Sequence, residues 1–414
     1  MLQCPEFNEV TIWIRRQKSG SVLGAVLLIA GCCIGAGMLG VPVIAAVAGF
    51  QPSLGMFFVS WLFMATTALL LLEVNLWFVE DVSLVSMAGA TLGKGGQFLA
   101  WSCFIFLFYA LGVAYLAGSG ELIAGFVQEM TGLSIPHWVG SALVSVLFAV
   151  FIYCGTYAVD LFNRALMLGL IVTYLLLVVL GIPHISSENL SFRDWSMAPY
   201  LLPVMIISFG FHNLIPSLKT YLGGNVARVR KAVIYGSFVP LIINIVWVWV
   251  IMGLTPLQQG EGLATVLDEG KMATETLREA VGSSLVLRVV EYFAFFAIVT
   301  SFLGNSLSFV DFLADGFRVK KDAIGKCLLC ALVVTPPFIM ALIYPNAFLW
   351  ALNYAGAFGA VLLFGVLPAL MVWSGRYRKG LKGTFQVPGG KITLLAVLAF
   401  ALGMMLMQIM EKST

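Results

Sequence analysis

The sequence has few charged residues. Of its 414 residues, only 10% are charged whereas 60% are hydrophobic, and the mean hydropathy is +0.99. A soluble globular domain carries roughly 25% charged residues. A chain with so little polar side-chain surface cannot cover itself for water, so the composition predicts a protein embedded in a lipid bilayer.

The residues that most enzymes and nucleic-acid-binding proteins need are also scarce. The three histidines are far apart, at positions 137, 184 and 212, and Cys327-x-x-Cys330 has no second cysteine pair with which to bind a metal. There is no nucleotide-binding loop, and the net charge of +3 comes without a long basic run. We therefore expect no catalytic residue, metal or cofactor, no nucleic acid and no obligate protein partner. A membrane-embedded enzyme would need His, Asp or Glu clustered near one interface.

Long apolar runs fill most of the chain. A helix needs roughly 20 apolar residues to cross the bilayer, and eleven runs meet that length. They predict an all-α integral membrane protein with eleven transmembrane helices, numbered here as spans 1 to 11: 21–49, 53–78, 97–127, 138–157, 164–182, 200–222, 229–254, 284–313, 326–344, 347–373 and 391–410. The first run is too long, and too interrupted by glycines and Pro42, for a cleaved signal peptide.

The basic residues predict the orientation. With the N-terminus inside, eighteen of the 23 Lys and Arg residues lie in cytoplasmic segments, which leaves five for the other side. Cytoplasmic loops carry such an excess, so we expect a multi-pass inner-membrane protein with a cytoplasmic N-terminus and a periplasmic C-terminus. The long external loop 255–288 is either a solvated connector or a lid.

Two of the apolar runs are interrupted. Span 1 contains I-G-A-G-M at 34–38 before Pro42, and span 6 contains F-G-F-H-N at 209–213 before Pro216. The two spans cross in opposite directions, and such interruptions at matching positions of two halves indicate an inverted-repeat transporter. The predicted division has two five-helix repeats, 21–182 and 200–373, joined by an external connector, 183–199. A cytoplasmic N-terminal segment, 1–20, precedes them, and a cytoplasmic loop with the eleventh helix, 374–414, follows.

The interruptions predict a site for a zwitterion. Unwinding frees amides around Gly37, Met38 and Leu39, which suit a carboxylate, and carbonyls near Ile34, Ser208 and Phe209, which suit an ammonium group. The candidate substrate-binding residues are Ile34, Gly35, Ala36, Gly37, Met38, Leu39, Ser208, Phe209, Gly210, Phe211, His212 and Asn213, together with Tyr109 of span 3 and Asn353 of span 10.

A few polar residues inside the spans are candidates for ion coupling. His212 either packs in the protein or takes part in transport, by binding a substrate hydroxyl or by titrating. Glu73 is either a functional carboxylate in the membrane or the partner of a cytoplasmic base. Thr300, Ser301 and Asn305 form part of a polar stripe on span 8, which either bonds neighbouring helices or closes a cation site.

Three motifs carry a family resemblance: G-S-V-L-G-A-V-L-L-I-A-G-C-C-I-G-A-G-M-L-G-V-P, A-L-L-L-L-E-V-N-L-W and I-S-F-G-F-H-N-L-I-P-S-L. With them the chain resembles the bacterial hydroxy/aromatic amino acid permeases, the tyrosine-specific members most of all. The resemblance implies a LeuT-like 5+5 inverted repeat with discontinuous helices 1 and 6, and proton-coupled uptake of an aromatic amino acid by alternating access. Because a LeuT-like fold binds sodium through adjacent hydroxyls on span 8, Thr300 and Ser301 leave a sodium-coupled or exchange carrier of another neutral amino acid open.

Overall fold

A computed structural model describes residues 20–78, 82–154, 156–255, 284–320 and 322–411, without the side chains of 152–161, 284 and 411. The described part is α-helical and has no β-strand. The predicted segment 1–20, apart from Gly20, and most of the loop 255–288 lie outside the described residues.

Fifteen α-helices make up the described part: α1 Val22–Cys33, α2 Ala36–Ala48, α3 Phe50–Asn75, α4 Leu84–Leu92, α5 Lys94–Thr131, α6 His137–Cys154, α7 Thr156–Gly181, α8 Leu202–Ile207, α9 Ile215–Tyr221, α10 Val226–Leu254, α11 Ser284–Phe317, α12 Ala323–Ile343, α13 Phe348–Tyr354, α14 Leu367–Trp373 and α15 Gly390–Glu411. The π-helical segment Ala355–Val366 joins α13 to α14, so span 10 is continuous. Span 3 corresponds to α5, and span 7 to α10.

By length and composition, nine helical segments of the described part can cross a membrane, or ten when the bent pair α1–α2 counts as one span. This confirms the prediction of an all-α membrane protein. The fourth predicted span coincides with α6, whose apolar stretch runs over the shorter range His137–Phe151. The count of eleven therefore stays a prediction.

Span 1 is broken between α1 and α2, which meet at an angle of 57°. Ile34 and Gly35 lie between the two helices in extended conformations. Pro42 lacks the amide hydrogen that would bond the Met38 carbonyl in a regular helix. The indole Nε1–H of buried Trp247, on α10, donates to that carbonyl at 2.8 Å instead. A side chain from another span thus stabilises the second half of span 1.

Span 6 is broken over Ser208–Phe211, between α8 and a short 3₁₀ turn at His212–Leu214 that leads into α9. Tight turns pair part of the freed backbone: the Gly210 amide donates to the Ile207 carbonyl at 3.1 Å. Pro216 stands in the first turn of α9, where its missing amide hydrogen costs nothing.

Helix packing brings the two breaks together. Helix α1 lies along α10, and α2 contacts both α8 and α10. Helix α3 contacts α8 and α10, and α5 contacts α6, α11 and α12. Finally, α7 packs on α11, while α13 and the π-helical segment pack on α5. The core therefore lies where spans 1 and 6 meet spans 3, 7, 8 and 10.

The connector between spans 5 and 6 is bonded to the end of the bundle opposite the start of α1. The Ser186 amide donates to the Gly253 carbonyl at 2.9 Å, and the Asn189 side chain donates to the same oxygen at 3.0 Å. Farther along, the Asp194 amide donates to the Ala48 carbonyl at 2.7 Å. The connector thus links the last turns of α2 and α10.

We expect Trp247→Phe to lower the free energy of unfolding by about 1–3 kcal/mol, because the buried Met38 carbonyl loses its donor. Thermal unfolding of the purified protein in detergent measures the change. Trp249→Phe, on the same helix but half-buried, is the control. Equal stability of the two variants would show that the indole hydrogen bond contributes nothing.

Candidate functional site

A cavity of about 440 Å³ lies at the two breaks. Its walls come from α1 and α2, α5, the start of α7, the break in span 6, one face of α11, and Phe364. No residue that lines it carries a charge. Pockets that bind small molecules usually have volumes of roughly 300–1,000 Å³, so the space suits a ligand of amino acid size.

The first break supplies backbone donors to this cavity. The Ala36 amide donates to Ser301 Oγ at 2.9 Å, and the Met38 amide donates to the Gly35 carbonyl at 3.1 Å. Within the described part, the amides of Gly35 and Gly37 donate to no protein atom. Both glycines line the cavity. Two amides at the N-terminal end of α2 are therefore available to an anionic group of a ligand.

The same break and the facing one supply acceptors. Among the described residues, no backbone donor reaches the carbonyls of Cys33 and Ile34 at the end of α1. Across the cavity, Ser208 Oγ donates to the Val204 carbonyl at 3.0 Å. A Cβ added to Gly37 would lie 3.3 Å from that Oγ. The two breaks are thus in close contact, and carbonyl oxygens lie near the free amides.

The polar stripe of span 8 forms another wall of the cavity. Thr300, Ser301 and Asn305 all line it. Thr300 Oγ1 donates to the Phe296 carbonyl at 2.8 Å, and Asn305 Nδ2 donates to the Phe108 carbonyl at 3.2 Å. Hydrogen bonds within or between helices therefore hold all three side chains.

His212 lies outside the cavity wall. Its side chain is fully buried, and Nε2 is 2.9 Å from Thr67 Oγ1. The ring stacks on Phe364, with centroids 4.7 Å apart and an angle of 11° between the planes. Phe364 itself lines the cavity, so this ring covers the imidazole on that side. Nδ1 has no hydrogen-bond partner among the described residues.

The remaining candidates divide between the cavity wall and the packed core. Tyr109 donates its hydroxyl to the Leu332 carbonyl at 2.9 Å and does not line the cavity. Asn353 is half-buried and also lies outside the wall. The structure places these predicted residues in the wall: Ile34, Gly35, Ala36, Gly37, Ser208, Gly210 and Asn213. It buries these in the core: Met38, Leu39, Phe209 and Phe211.

Glu73 is fully buried and forms an ion pair with Arg376, at the end of span 10. Arg376 Nε lies 2.5 Å from Glu73 Oε1, and Nη2 of the same guanidinium bonds Oε2. The Val387 amide adds a bond of 2.8 Å to Oε2, and Arg376 donates back to the Val387 carbonyl. The carboxylate thus ties the loop before span 11 to span 2, outside the cavity wall.

Span 5 contributes to the cavity wall, which the sequence pattern does not predict. Asn163 and Met167 of α7 line the cavity, although neither was a candidate. Arg164 directly follows Asn163 in the sequence. Because a basic residue is typical of a loop at the membrane surface, this position is not predicted to line a cavity. The sequence feature that could have indicated this role is the polar amide of Asn163 at the edge of an apolar run.

Comparisons with known proteins agree with this architecture. Residues 18–408 match the model of the tryptophan/tyrosine permease family. The chain belongs to this family. It is 34% identical over 384 residues to the tyrosine-specific transport system 1 of Haemophilus influenzae, a match that covers 91% of this chain and 93% of the relative. It is 30% identical over 402 residues to a tryptophan-specific transport protein of Shigella flexneri, with 96% of each chain covered.

The resemblance read from the three motifs is therefore confirmed. A low affinity tryptophan permease of Escherichia coli is 27% identical over 407 residues, covering 94% of this chain and 95% of the relative. These relatives are transport proteins, so this permease is a multi-pass membrane transporter of the aromatic amino acid class and not an enzyme.

Removing Arg376 from the permease should destabilise it strongly. Arg376→Ala leaves the buried Glu73 carboxylate without a counter-ion, and breaking a buried pair on one side costs about 3–5 kcal/mol. We expect a lower midpoint of thermal unfolding and less folded protein on size exclusion in detergent. Arg378→Ala is the exposed control. The double change Glu73→Leu with Arg376→Met should recover most of the loss, and failure to recover it would contradict a purely electrostatic cause.

Proposed function

We propose that this permease imports an aromatic amino acid, with tyrosine as the preferred substrate, by proton symport across the inner membrane. The observation that carries the proposal is the uncharged cavity at the two breaks. A zwitterionic amino acid has a carboxylate and an ammonium group, and each needs a polar partner in the membrane. Backbone amides and carbonyls can supply both partners without a buried charged side chain. The family supplies the substrate class, since the relatives above are named for tyrosine or tryptophan.

In this proposal the backbone holds the α-amino acid group. The amides of Gly35 and Gly37 bind the carboxylate, while the carbonyls at the end of α1 and near Ser208 bind the ammonium group. The side chain then occupies the apolar part of the cavity beside Phe108 and Phe364, which both line it. Aromatic rings pack favourably on one another.

The proposed architecture is a LeuT-like inverted repeat with eleven spans. Its halves are 21–182 and 200–373, joined by the connector 183–199 and followed by 374–414. The packing supports it, because corresponding spans of the two halves make corresponding contacts. Span 1 contacts span 7 as span 6 contacts span 2, and span 5 contacts span 8 as span 10 contacts span 3. Two repeats of opposite orientation would produce such pairs.

The position of the cavity supports the proposal of alternating access. It extends from the breaks along α1 toward the start of that helix, since Leu27 and Leu28 line it. On the other side of the breaks, Met38 and Val204 are fully buried. With the N-terminus in the cytoplasm, this is an inward-open state, and the periplasmic path is closed by α2 and α8.

For the coupling proton we propose His212 as the carrier. Glu73 is already neutralised by Arg376, whereas His212 directly follows the break in span 6 and is hydrogen-bonded to Thr67 of span 2. Its imidazole therefore links span 2 to the segment that follows the break in span 6. Sodium coupling through Thr300 and Ser301 is the alternative that the next experiment tests.

Uptake into proteoliposomes tests the substrate and the coupling ion. We expect labelled tyrosine to accumulate when the outside is acidic relative to the inside, and unlabelled tryptophan to compete with it better than serine, threonine or leucine. An imposed sodium gradient should add nothing. Accumulation driven by sodium and insensitive to the pH gradient would contradict proton symport.

Gly37→Val tests the site itself. A valine side chain would occupy the space beside Ser208, where a Cβ alone already comes within 3.3 Å of Oγ. We expect uptake to fall at least about tenfold, since the ligand loses its approach to the backbone, with normal expression. Gly403→Val is the matched control, because a Cβ at that helical glycine meets no atom within 4 Å. Normal uptake by Gly37→Val would exclude this site.

A further inference from the structure

Asn163, near the start of α7, lines the cavity and has an unsatisfied side chain. Its Oδ1 atom is buried and has no hydrogen-bond partner in the described part of the chain. A buried polar atom without a partner is unfavourable and calls for an explanation, for which a missing ligand is one physical reason.

Several other polar atoms of the wall already have protein partners. Ser208, Thr300 and Asn305 donate to backbone carbonyls, and Ser301 accepts from the Ala36 amide. Among the buried side-chain oxygen and nitrogen atoms that lack a partner in the described residues, Asn163 Oδ1 is the one on a residue that lines this cavity.

Its position suits the far end of an aromatic amino acid. Met167, one turn beyond Asn163 on α7, reaches Gly31 of α1, where an added Cβ would lie 3.4 Å from the methionine methyl group. Gly31 precedes Gly35 by about 6 Å along α1, and Asn163 precedes Met167 by a similar rise. Spans 1 and 5 run in the same direction in the proposed topology, so Asn163 lies about two helical turns from the break. That separation is comparable to an extended tyrosine with a hydrogen bond at each end.

We propose that the Asn163 side-chain amide accepts a hydrogen bond from the polar group on the substrate ring. The phenol O–H of tyrosine and the indole N–H of tryptophan are both donors, whereas phenylalanine has no ring donor. One acceptor at this position therefore serves both rings and disfavours phenylalanine. The inference rests on the proposed function and deepens it, because it assigns the choice of ring to one residue.

The amide can turn to meet the ligand. The second side-chain torsion of asparagine has broad, roughly two-fold preferences, and no described protein atom bonds Oδ1 of Asn163. A half-turn exchanges Oδ1 and Nδ2 without moving the helix. In the free protein Oδ1 is unsatisfied, and a ring donor removes that deficit.

The test uses purified full-length protein in detergent or proteoliposomes and measures equilibrium binding of tyrosine, tryptophan and phenylalanine. Asn163→Leu removes the polar group at similar volume, and Asn163→Ala removes it with less risk of overpacking. In both variants we expect affinity for tyrosine and tryptophan to fall about tenfold, the usual effect of one hydrogen bond. Affinity for phenylalanine should change less than about twofold.

Asn244→Ala is the matched control. Asn244 also has a buried, unpartnered Oδ1 but lies outside the cavity wall, so its removal should leave the ratio of tyrosine to phenylalanine affinity unchanged. Equal weakening of all three ligands by the Asn163 variants, or no change in the ratio, would overturn the assignment. If the unaltered protein binds neither tyrosine nor tryptophan, the proposed function itself fails, and that outcome is distinct from a change in the ratio.

Discussion

Every backbone amide and carbonyl inside a bilayer needs a partner, because the hydrocarbon offers none. Two spans of this permease leave the helical conformation in the middle, and side chains from distant spans meet much of the resulting deficit. Ser301 accepts from the Ala36 amide, and Trp247 donates to the Met38 carbonyl. Among the described residues, the amides of Gly35 and Gly37 and the carbonyls of Cys33 and Ile34 have no backbone partner, and these four residues line the cavity. The free amides and carbonyls at the two breaks are therefore available for a ligand rather than being defects.

The placement of charge complements this arrangement. The buried carboxylate of Glu73 is matched by Arg376 and by the Val387 amide, away from the cavity. Lys219 donates to the Asn75 and Phe78 carbonyls, at the end of the same span. Charged groups thus close helix ends and hold loops, while the cavity stays neutral. In the proposed function, this neutral cavity accepts a zwitterion through the oriented dipoles of the two breaks.

The sequence predicts some parts of the site well. The glycines of I-G-A-G-M and the aromatic F-G-F-H-N segment mark the two breaks, and the structure interrupts the helices at Ile34–Gly35 and Ser208–Phe211. Ser301 and Asn305, which their spacing places on one face of span 8, both line the cavity. These predictions succeed because they depend on local geometry: helix periodicity and the conformational freedom of glycine.

Other features depend on how each helix is rotated about its axis. Most of these spans are apolar on every side, so the hydrophobic pattern does not show which face meets the cavity. His212 therefore points behind Phe364, and Asn163 enters the wall although its neighbour is charged. By itself the sequence determined three things. Its composition shows membrane insertion, the spacing of its glycines and prolines shows the two interruptions, and its motifs show the family. Only the tertiary structure decided which partners meet, such as Glu73 with Arg376, 303 residues apart. Such pairs form when helices pack against each other. The hydrophobic pattern of the sequence does not distinguish the faces of these helices, so it does not predict which of them meet.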